Sequence, residues 1–175
     1  MRNLTLLTDL YQLTMLNGYY EKNIHEDIVV FDMFFRKNAC NGGYTIICGI
    51  EQLVEYIHNL HFSDDDLEYL KSLGLFSDKF LDFLKDFKFT GDIYAVEEGT
   101  IMFPKEPIIT VKAPPYQAQL IETALLTIVN FHSLIATKAS RVCYAAKGDP
   151  VFEFGLRRAQ GPDAGTYGAR AAVIG

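Results

Sequence analysis

Several features that would place this chain in a common functional class are missing from its sequence. The 175 residues carry a net charge of −6 and contain no run rich in lysine or arginine, which argues against nucleic-acid binding. No apolar stretch reaches the roughly 18 residues that suggest a membrane span, and the first residues lack a signal-peptide core. No GxxxxGKS or GxxxxGKT motif is present, so no nucleotide site follows from a motif.

Cysteine and histidine are too sparse, and wrongly spaced, for a disulfide framework or a zinc site. Cys40, Cys48 and Cys143 form no close pair, and three thiols cannot all pair within one chain. There is no CxxC motif, and the four histidines lack the usual ligand spacing. These features predict a protein of the reducing cytoplasm without bound zinc.

The hydrophobic pattern predicts a mixed fold with a sizeable core, since 49% of the residues are hydrophobic. Helices are predicted at 8–23 with Thr8 as N-cap, 50–60, 63–74, 77–87 and 116–147, and strands at 27–36, 44–48, 92–96, 100–103 and 108–112. We expect the first two strands to form a hairpin. The last three are expected to form a small antiparallel β-sandwich.

The order of elements changes near residue 148, where a strand and then an alanine-rich helix are predicted. We therefore expect an N-terminal α+β domain at 1–147, which includes the long helix, and the first βα unit of an α/β barrel at 148–175. The last residues, 171–175, continue a helical pattern. We expect the chain to be the first part of a longer protein, because a lone parallel strand and helix would have no neighbours to bury their apolar faces.

The segment 151–165 carries the most informative chemistry. It begins as an apolar strand and then presents Phe154, Arg157 and Arg158 just before a Gly-Pro pair at 161–162. In an α/β fold this place is the carboxyl end of a strand, where ligands bind. A flat ring beside two fixed cations suits a planar, anionic substrate. The alternative is a surface salt-bridge cluster after a core strand.

Other residues are weaker candidates, each with a structural alternative. Tyr11, near a helix start, could stack on a flat ring, or it could be a packing residue with a wet hydroxyl. Arg36 ends a strand beside a glycine-rich turn and could hold a phosphate, or it could be a solvated strand end. Lys138 shares a helical face with Arg141 and could reach a cleft, or it could face solvent. His132 is expected to be a core histidine.

Four motifs together resemble the nicotinate phosphoribosyltransferases, in order and spacing over essentially the whole chain. They are Thr8-Asp-Leu-Tyr-Gln-Leu-Thr-Met15, Phe34-Phe-Arg-Lys37, Ile135-Ala-Thr-Lys-Ala-Ser-Arg141 and Phe152-Glu-Phe-Gly-Leu-Arg-Arg-Ala-Gln-Gly-Pro-Asp163. The resemblance implies a type II phosphoribosyltransferase with an irregular α/β barrel. Such enzymes couple nicotinate to 5-phosphoribosyl-1-pyrophosphate in NAD biosynthesis and release pyrophosphate, with ATP hydrolysis and Mg²⁺.

The resemblance also implies roles for individual residues. Phe154 matches a ring-stacking aromatic residue and Arg157 a substrate-binding arginine. Tyr11 matches a stacking tyrosine contributed by the partner subunit, which implies a homodimer with shared active sites. Asp9 is implied to orient that tyrosine or to contact the ribosyl side, and Arg36 is a candidate for the phosphate side.

Arg158 and Lys138 complete the set of predicted substrate-binding residues. No catalytic residue is expected within the chain, because the family's phosphorylated histidine lies in a Gly-Thr-x-Ala-His type of segment, which we expect beyond Gly175. We therefore expect this chain to be inactive alone. Two other readings stay open. One is a quinolinate phosphoribosyltransferase-like enzyme, although that family favours Thr-Arg-Lys-Thr at residues 154–157, and the other is a non-catalytic interaction module built on the β-sandwich.

Overall fold

Seven α-helices and five short strands form within residues 3–39 and 42–175, the part of the chain that the computed structural model describes. The helices are α1 (Leu10–Glu21), α2 (Ile50–His58), α3 (Asp64–Ser72), α4 (Asp78–Lys85), α5 (Pro115–Leu120), α6 (Glu122–Ala146) and α7 (Pro162–Ile174). The strands are β1 (Val29–Met33), β2 (Thr45–Ile46), β3 (Asp92–Ala95), β4 (Ile101–Met102) and β5 (Ile109–Ala113), and Leu156–Arg158 form a 3₁₀ turn. Cys40 lies outside the described residues.

The chain divides into two compact units whose segments interleave along the sequence. The first unit contains the segment that ends at Asp32, with Gln52–Tyr94 and Thr110–Leu126. The second contains Met33–Glu51, Ala95–Ile109 and Thr127–Gly175. The domain boundary expected between residues 147 and 148 stays a prediction.

Local capping explains where the helices of the first unit begin. The Ser63 hydroxyl accepts the Asp66 N–H at 3.2 Å and the Ser77 hydroxyl accepts the Phe80 N–H at 3.2 Å, as the sequence predicts. Helix α1 differs, because its N-cap is Asp9 and not Thr8. The Thr8 hydroxyl is hydrogen-bonded to the Gln12 side chain instead.

The predicted hairpin of the first two strands is wrong, because each of them pairs with another strand. β1 lies beside β5 in a three-stranded sheet of order β1-β5-β3, while β2 pairs antiparallel with β4. The three strands expected in one sandwich are therefore divided between two small sheets. The reason is burial: β2 is entirely buried, and its neighbours are non-local partners and not the strand that precedes it in sequence.

Side chains of α6 take the place of a strand at the free edge of β2. The Ile46 N–H donates to the Thr137 hydroxyl at 2.9 Å, and the Cys48 N–H donates to the Ser133 hydroxyl at 3.0 Å. Ser133 returns a hydrogen bond to the Cys48 carbonyl at 3.1 Å. The long helix predicted at 116–147 is thus confirmed in its position, although a turn at the buried Ile121 divides it into α5 and α6.

Helix α7, which is rich in alanine, packs closely on α6. Ala171 and Ala136 are fully buried in a small core with Ile46 and Cys48. At its end, a Cβ on Gly175 would lie 2.0 Å from the Ala136 carbonyl oxygen, so only glycine fits there.

The strand predicted to begin at Val151 is not formed. Residues 151–155 have no regular secondary structure, and Val151, Phe152 and Phe154 are exposed. A strand exists only where a neighbour completes its hydrogen bonds, and no described residue pairs with this segment in a ladder. The α/β barrel beyond α7 stays a prediction. No helix among residues 3–39 and 42–175 is both long and apolar enough to cross a membrane.

Candidate functional site

The 3₁₀ turn at Leu156–Arg158 brings together the main predicted ligand-binding side chains. The Arg158 N–H donates to the Gly155 carbonyl at 2.7 Å, which closes the turn. The guanidinium carbon of Arg157 lies 6.0 Å from the centre of the Phe154 ring, within cation–π range. The turn therefore presents an aromatic ring and a guanidinium side by side.

A close approach of Leu156 to Gly165 helps to seat this turn on α7. A Cβ on Gly165 would lie 2.4 Å from Cδ1 of Leu156, so the absence of a side chain lets Leu156 approach the helix. Gly165 is buried, whereas Phe154 is 79% exposed. A large aromatic ring left mostly in water buries little apolar area, and such rings are common where proteins meet ligands or partners.

The other predicted site residues lie on different elements. In the second unit, Arg158 is exposed on the turn, Lys138 is exposed on α6, and Arg36 is exposed after β1. Tyr11, which is 54% exposed, and the exposed Asp9 lie at the start of α1 in the first unit. The structure thus brings Phe154, Arg157 and Arg158 onto one turn, and the binding roles of all seven residues stay predictions.

Sequence reasoning missed a cluster of charged residues around Arg170 of α7. Its guanidinium pairs with both carboxylate oxygens of Glu98, at 3.2 Å from Nη1 and 2.6 Å from Nη2. Nη2 also pairs with Glu51, and Nη1 lies 3.6 Å from the Cys48 sulfur. We call these four residues the Arg170 cluster. It joins α7 to the start of α2 and to the turn before β4.

Glu98 is the centre of this cluster. One of its oxygens also accepts the N–H groups of Gly49 at 2.6 Å and Ile50 at 2.9 Å, at the positive end of α2. Burial by itself would raise the pKa of Glu98, but the hydrogen bonds from Arg170 and from these two N–H groups outweigh it and lower the pKa. Glu98 is therefore held as a carboxylate.

The same charges act on Arg170 and Cys48. The hydrogen bond with Glu98 raises the pKa of Arg170, which keeps the guanidinium charged. Burial, with a contribution from the Glu98 charge, raises the pKa of the Cys48 thiol to about 11. Cys48 is thus a protonated, buried thiol and not a nucleophile at neutral pH.

His132 of α6 lies next to the cluster and is 3% exposed, as expected for a core histidine. Its Nδ1 lies 2.6 Å from the Ile128 carbonyl oxygen, while its buried Nε2 has no hydrogen-bond partner. Burial, helped by the charge of Arg170, lowers the pKa of His132, which favours the neutral ring. Gly49, with φ of +102°, lets the chain pass close to this ring: a Cβ there would lie 3.0 Å from the His132 Cβ.

The sequence carries little signal for the Arg170 cluster. Arg170 is 72 residues from Glu98 and 119 residues from Glu51, and no local motif links them. The usable clue is Gly49, a glycine between a buried strand and a helix, which marks a place where another group approaches the backbone. Among residues 3–39 and 42–175 there is no group of three histidine, cysteine or acidic side chains that could hold a metal ion.

Comparison with known proteins gives the family. The nicotinate phosphoribosyltransferase (NAPRTase) N-terminal domain family matches residues 6–130. The nicotinate phosphoribosyltransferase of Bacillus subtilis is 45% identical over 173 residues, which cover 99% of this chain and 35% of that protein.

Two solved structures also resemble this chain. The crystal structure of human nicotinic acid phosphoribosyltransferase matches with a TM-score of 0.86 and 34% identity, over 95% of this chain and 34% of the human chain. Nicotinate-nucleotide pyrophosphorylase from Pyrococcus furiosus matches with a TM-score of 0.74 and 26% identity, over 96% of this chain and 35% of that chain. The chain thus spans about a third of the length of the relatives it matches. With most of its residues inside the matched region, this chain belongs to the nicotinate phosphoribosyltransferase N-terminal domain family.

Proposed function

We propose that this chain forms part of a nicotinate phosphoribosyltransferase. This enzyme couples nicotinate to 5-phosphoribosyl-1-pyrophosphate and gives nicotinate mononucleotide and pyrophosphate for NAD synthesis. The observation that carries the proposal is the pairing of Phe154 and Arg157 on one exposed turn, in a chain that belongs to this family. Relatives named nicotinate phosphoribosyltransferase from bacteria, animals and plants support it. The quinolinate-type enzyme and the interaction module are not favoured.

The chemistry of the turn suits a pyridine carboxylate. The Phe154 ring offers an apolar face for stacking on the pyridine ring. The Arg157 guanidinium would hold the carboxylate through charge-assisted hydrogen bonds and would so select the acid over the amide. Fixing the ring plane places the ring nitrogen in line with C1 of the ribosyl group, which is the requirement for this substitution.

Tyr11 would cover the opposite face of the pyridine ring. In the proposal it comes from the partner subunit of a homodimer, so that each active site is shared, and Asp9 would orient it or contact the ribosyl side. The exposure of Tyr11 at the start of α1 supports this role, because an aromatic ring with a free hydroxyl is then available to another subunit.

Three cations would act on the phosphate side. Arg36, Arg158 and Lys138 are exposed in the second unit, and their charge would stabilise pyrophosphate as the C1–O bond breaks. Mg²⁺ would bind to the phosphate oxygens of the substrate and help to neutralise their charge. ATP hydrolysis, when coupled, would supply driving force, and we propose no residue of this chain for it.

We do not assign the role of the phosphorylated histidine to any histidine of this chain. His132 is buried and hydrogen-bonded within α6. His25 is half-buried against the Tyr20 ring, and His58 and His61 are exposed, at the end of α2 and just after it. We therefore propose that this chain supplies substrate-binding groups and that the phosphorylated histidine lies in another part of the enzyme. We also propose that the enzyme works in the cytoplasm.

Product analysis of the full-length gene product tests the function. The protein is incubated with nicotinate, 5-phosphoribosyl-1-pyrophosphate, Mg²⁺ and ATP, with nicotinamide or quinolinate replacing nicotinate in parallel reactions. We expect nicotinate mononucleotide and pyrophosphate, with nicotinate strongly preferred. Release of carbon dioxide from quinolinate would favour the quinolinate-type enzyme, and the absence of any nucleotide product would contradict the proposal.

A further inference from the structure

Helix α7 is held in the second unit from two directions. Gly165 contacts Leu156 of the 3₁₀ turn, and Arg170 lies in the Arg170 cluster five residues later. At about 100° per residue, these two positions are roughly 140° apart around the helix axis. The turn is therefore on one side of α7, and the ion pairs hold another side.

The position of the turn depends on α7. Phe154, Leu156 and Arg157 are all exposed, and the turn packs on α7 through a close contact of Leu156 with Gly165. A side chain that is mostly in water has few neighbours to fix its place. Any shift of α7 is thus passed to the ring and the guanidinium that we assign to nicotinate.

Glu98 controls how firmly α7 is held. It accepts two hydrogen bonds from Arg170 and two from the backbone at the start of α2, and its side chain is only 16% exposed. The other acidic partner, Glu51, is 68% exposed, so solvent screens its contribution. Without the Glu98 charge, Arg170 keeps only the weaker partner.

We propose that Glu98 and Arg170 are positioning residues for nicotinate binding: they fix α7, and through Gly165 and Leu156 they fix where Phe154 and Arg157 stand. In this proposal neither residue contacts the substrate. The inference rests on the proposed function, and it assigns to the charged cluster a part in substrate affinity and not only in stability.

The first test separates KM from kcat in the full-length enzyme. Glu98→Gln keeps the shape of the side chain and removes its charge, and we expect KM for nicotinate to rise about tenfold while kcat stays within about twofold. Arg170→Lys keeps the charge but loses the two-pronged pairing with Glu98, so KM should rise severalfold. Asp78→Asn on α4, which removes an exposed ion pair with Lys71 of α3, is the matched control and should leave KM unchanged.

A merely structural role would give the opposite split. A partly unfolded population lowers the concentration of active enzyme, so kcat would fall and KM would stay constant. Either that result or unchanged kinetics in both Glu98→Gln and Arg170→Lys would overturn the inference.

Hydrogen exchange gives a readout that does not depend on activity. In Glu98→Gln we expect faster exchange of the Arg158 and Ala159 amides, which close the turn, relative to Asp78→Asn. Equal exchange in the two variants would overturn the positioning role. If the wild-type enzyme makes no nicotinate mononucleotide, the proposed function fails, and the exchange result still decides whether the cluster positions the turn.

Discussion

Two arginines of the second unit are placed in opposite ways. Arg170 is engaged with two carboxylates and supports the contact between α7 and the start of α2, whereas Arg157 lies over an exposed phenyl ring on a short turn. The first arrangement stabilises the fold, since opposite charges are held at hydrogen-bond distance. The second presents charge and an aromatic ring to the surroundings. The same residue type therefore stabilises the fold from α7 and is available for a ligand on the turn that precedes α7.

The largest difference should be in the free energy of unfolding, between alanine variants of a buried and of an exposed aromatic ring. Phe80 on α4 is fully buried, so Phe80→Ala should lower the free energy of unfolding by about 3–5 kcal/mol. Phe154→Ala should change it by less than about 0.5 kcal/mol, because the ring is 79% exposed. Chemical denaturation of both variants measures this. A large loss for Phe154→Ala would show that the ring is part of a core.

The exposed arginine should matter for substrate affinity. Arg157→Ala in the full-length enzyme should raise KM for nicotinate by the equivalent of about 2 kcal/mol, because charge-assisted hydrogen bonds to the carboxylate are lost. Lys79→Ala, which removes an exposed positive charge on α4, is a control and should leave KM in place. Steady-state kinetics with varied nicotinate makes the measurement, and an unchanged KM for Arg157→Ala would remove this residue from the carboxylate role.

The smallest expected effect is a pH dependence of stability that arises from the buried His132, next to the Arg170 cluster. Burial lowers the pKa of His132 below its ordinary value of 6.5. Between the lowered pKa in the folded protein and the ordinary pKa in the unfolded chain, His132 binds a proton only when the chain is unfolded. Its contribution to stability is therefore fully present above pH 6.5 and is lost as the pH falls towards the folded pKa. The loss between pH 7.5 and 5.5 should not exceed about 1.4 kcal/mol, the limit for one proton over the pH unit below 6.5.

Unfolding curves across this range test the effect. His132→Phe should make stability depend less on pH, and His58→Gln, at an exposed position on α2, should leave the slope as in the wild type. Equal slopes in the wild type and His132→Phe would contradict a buried neutral ring.

Features that depend on near neighbours in sequence could be predicted. Ser63 and Ser77 are followed three residues later by the N–H group that each hydroxyl accepts, so the starts of α3 and α4 are visible in the sequence. Phe154 and Arg157 are similarly close, and their joint exposure on a turn agrees with the ligand-binding hypothesis without testing it.

Features that depend on distant residues could not be predicted. The pairing of Thr45 with Met102 competes with a local hairpin, and nothing in the sequence says that burial against α6 decides it. The segment at Val151 has the apolar pattern of a strand, but pairing partners decide whether a strand forms. The ion pair between Arg170 and Glu98 is invisible for the same reason of sequence distance.

The hydroxyl groups of Ser133 and Thr137 have a consequence for association. An open strand edge is a template on which another polypeptide can add a further strand. Here Ile46 and Cys48 already bond to the two hydroxyls, while Ile47 bonds on its other side to Gly99 and Thr100. The hydroxyl groups of α6 thus take the hydrogen-bonding positions that a further strand would use. This protects the edge of the small two-stranded sheet against aggregation.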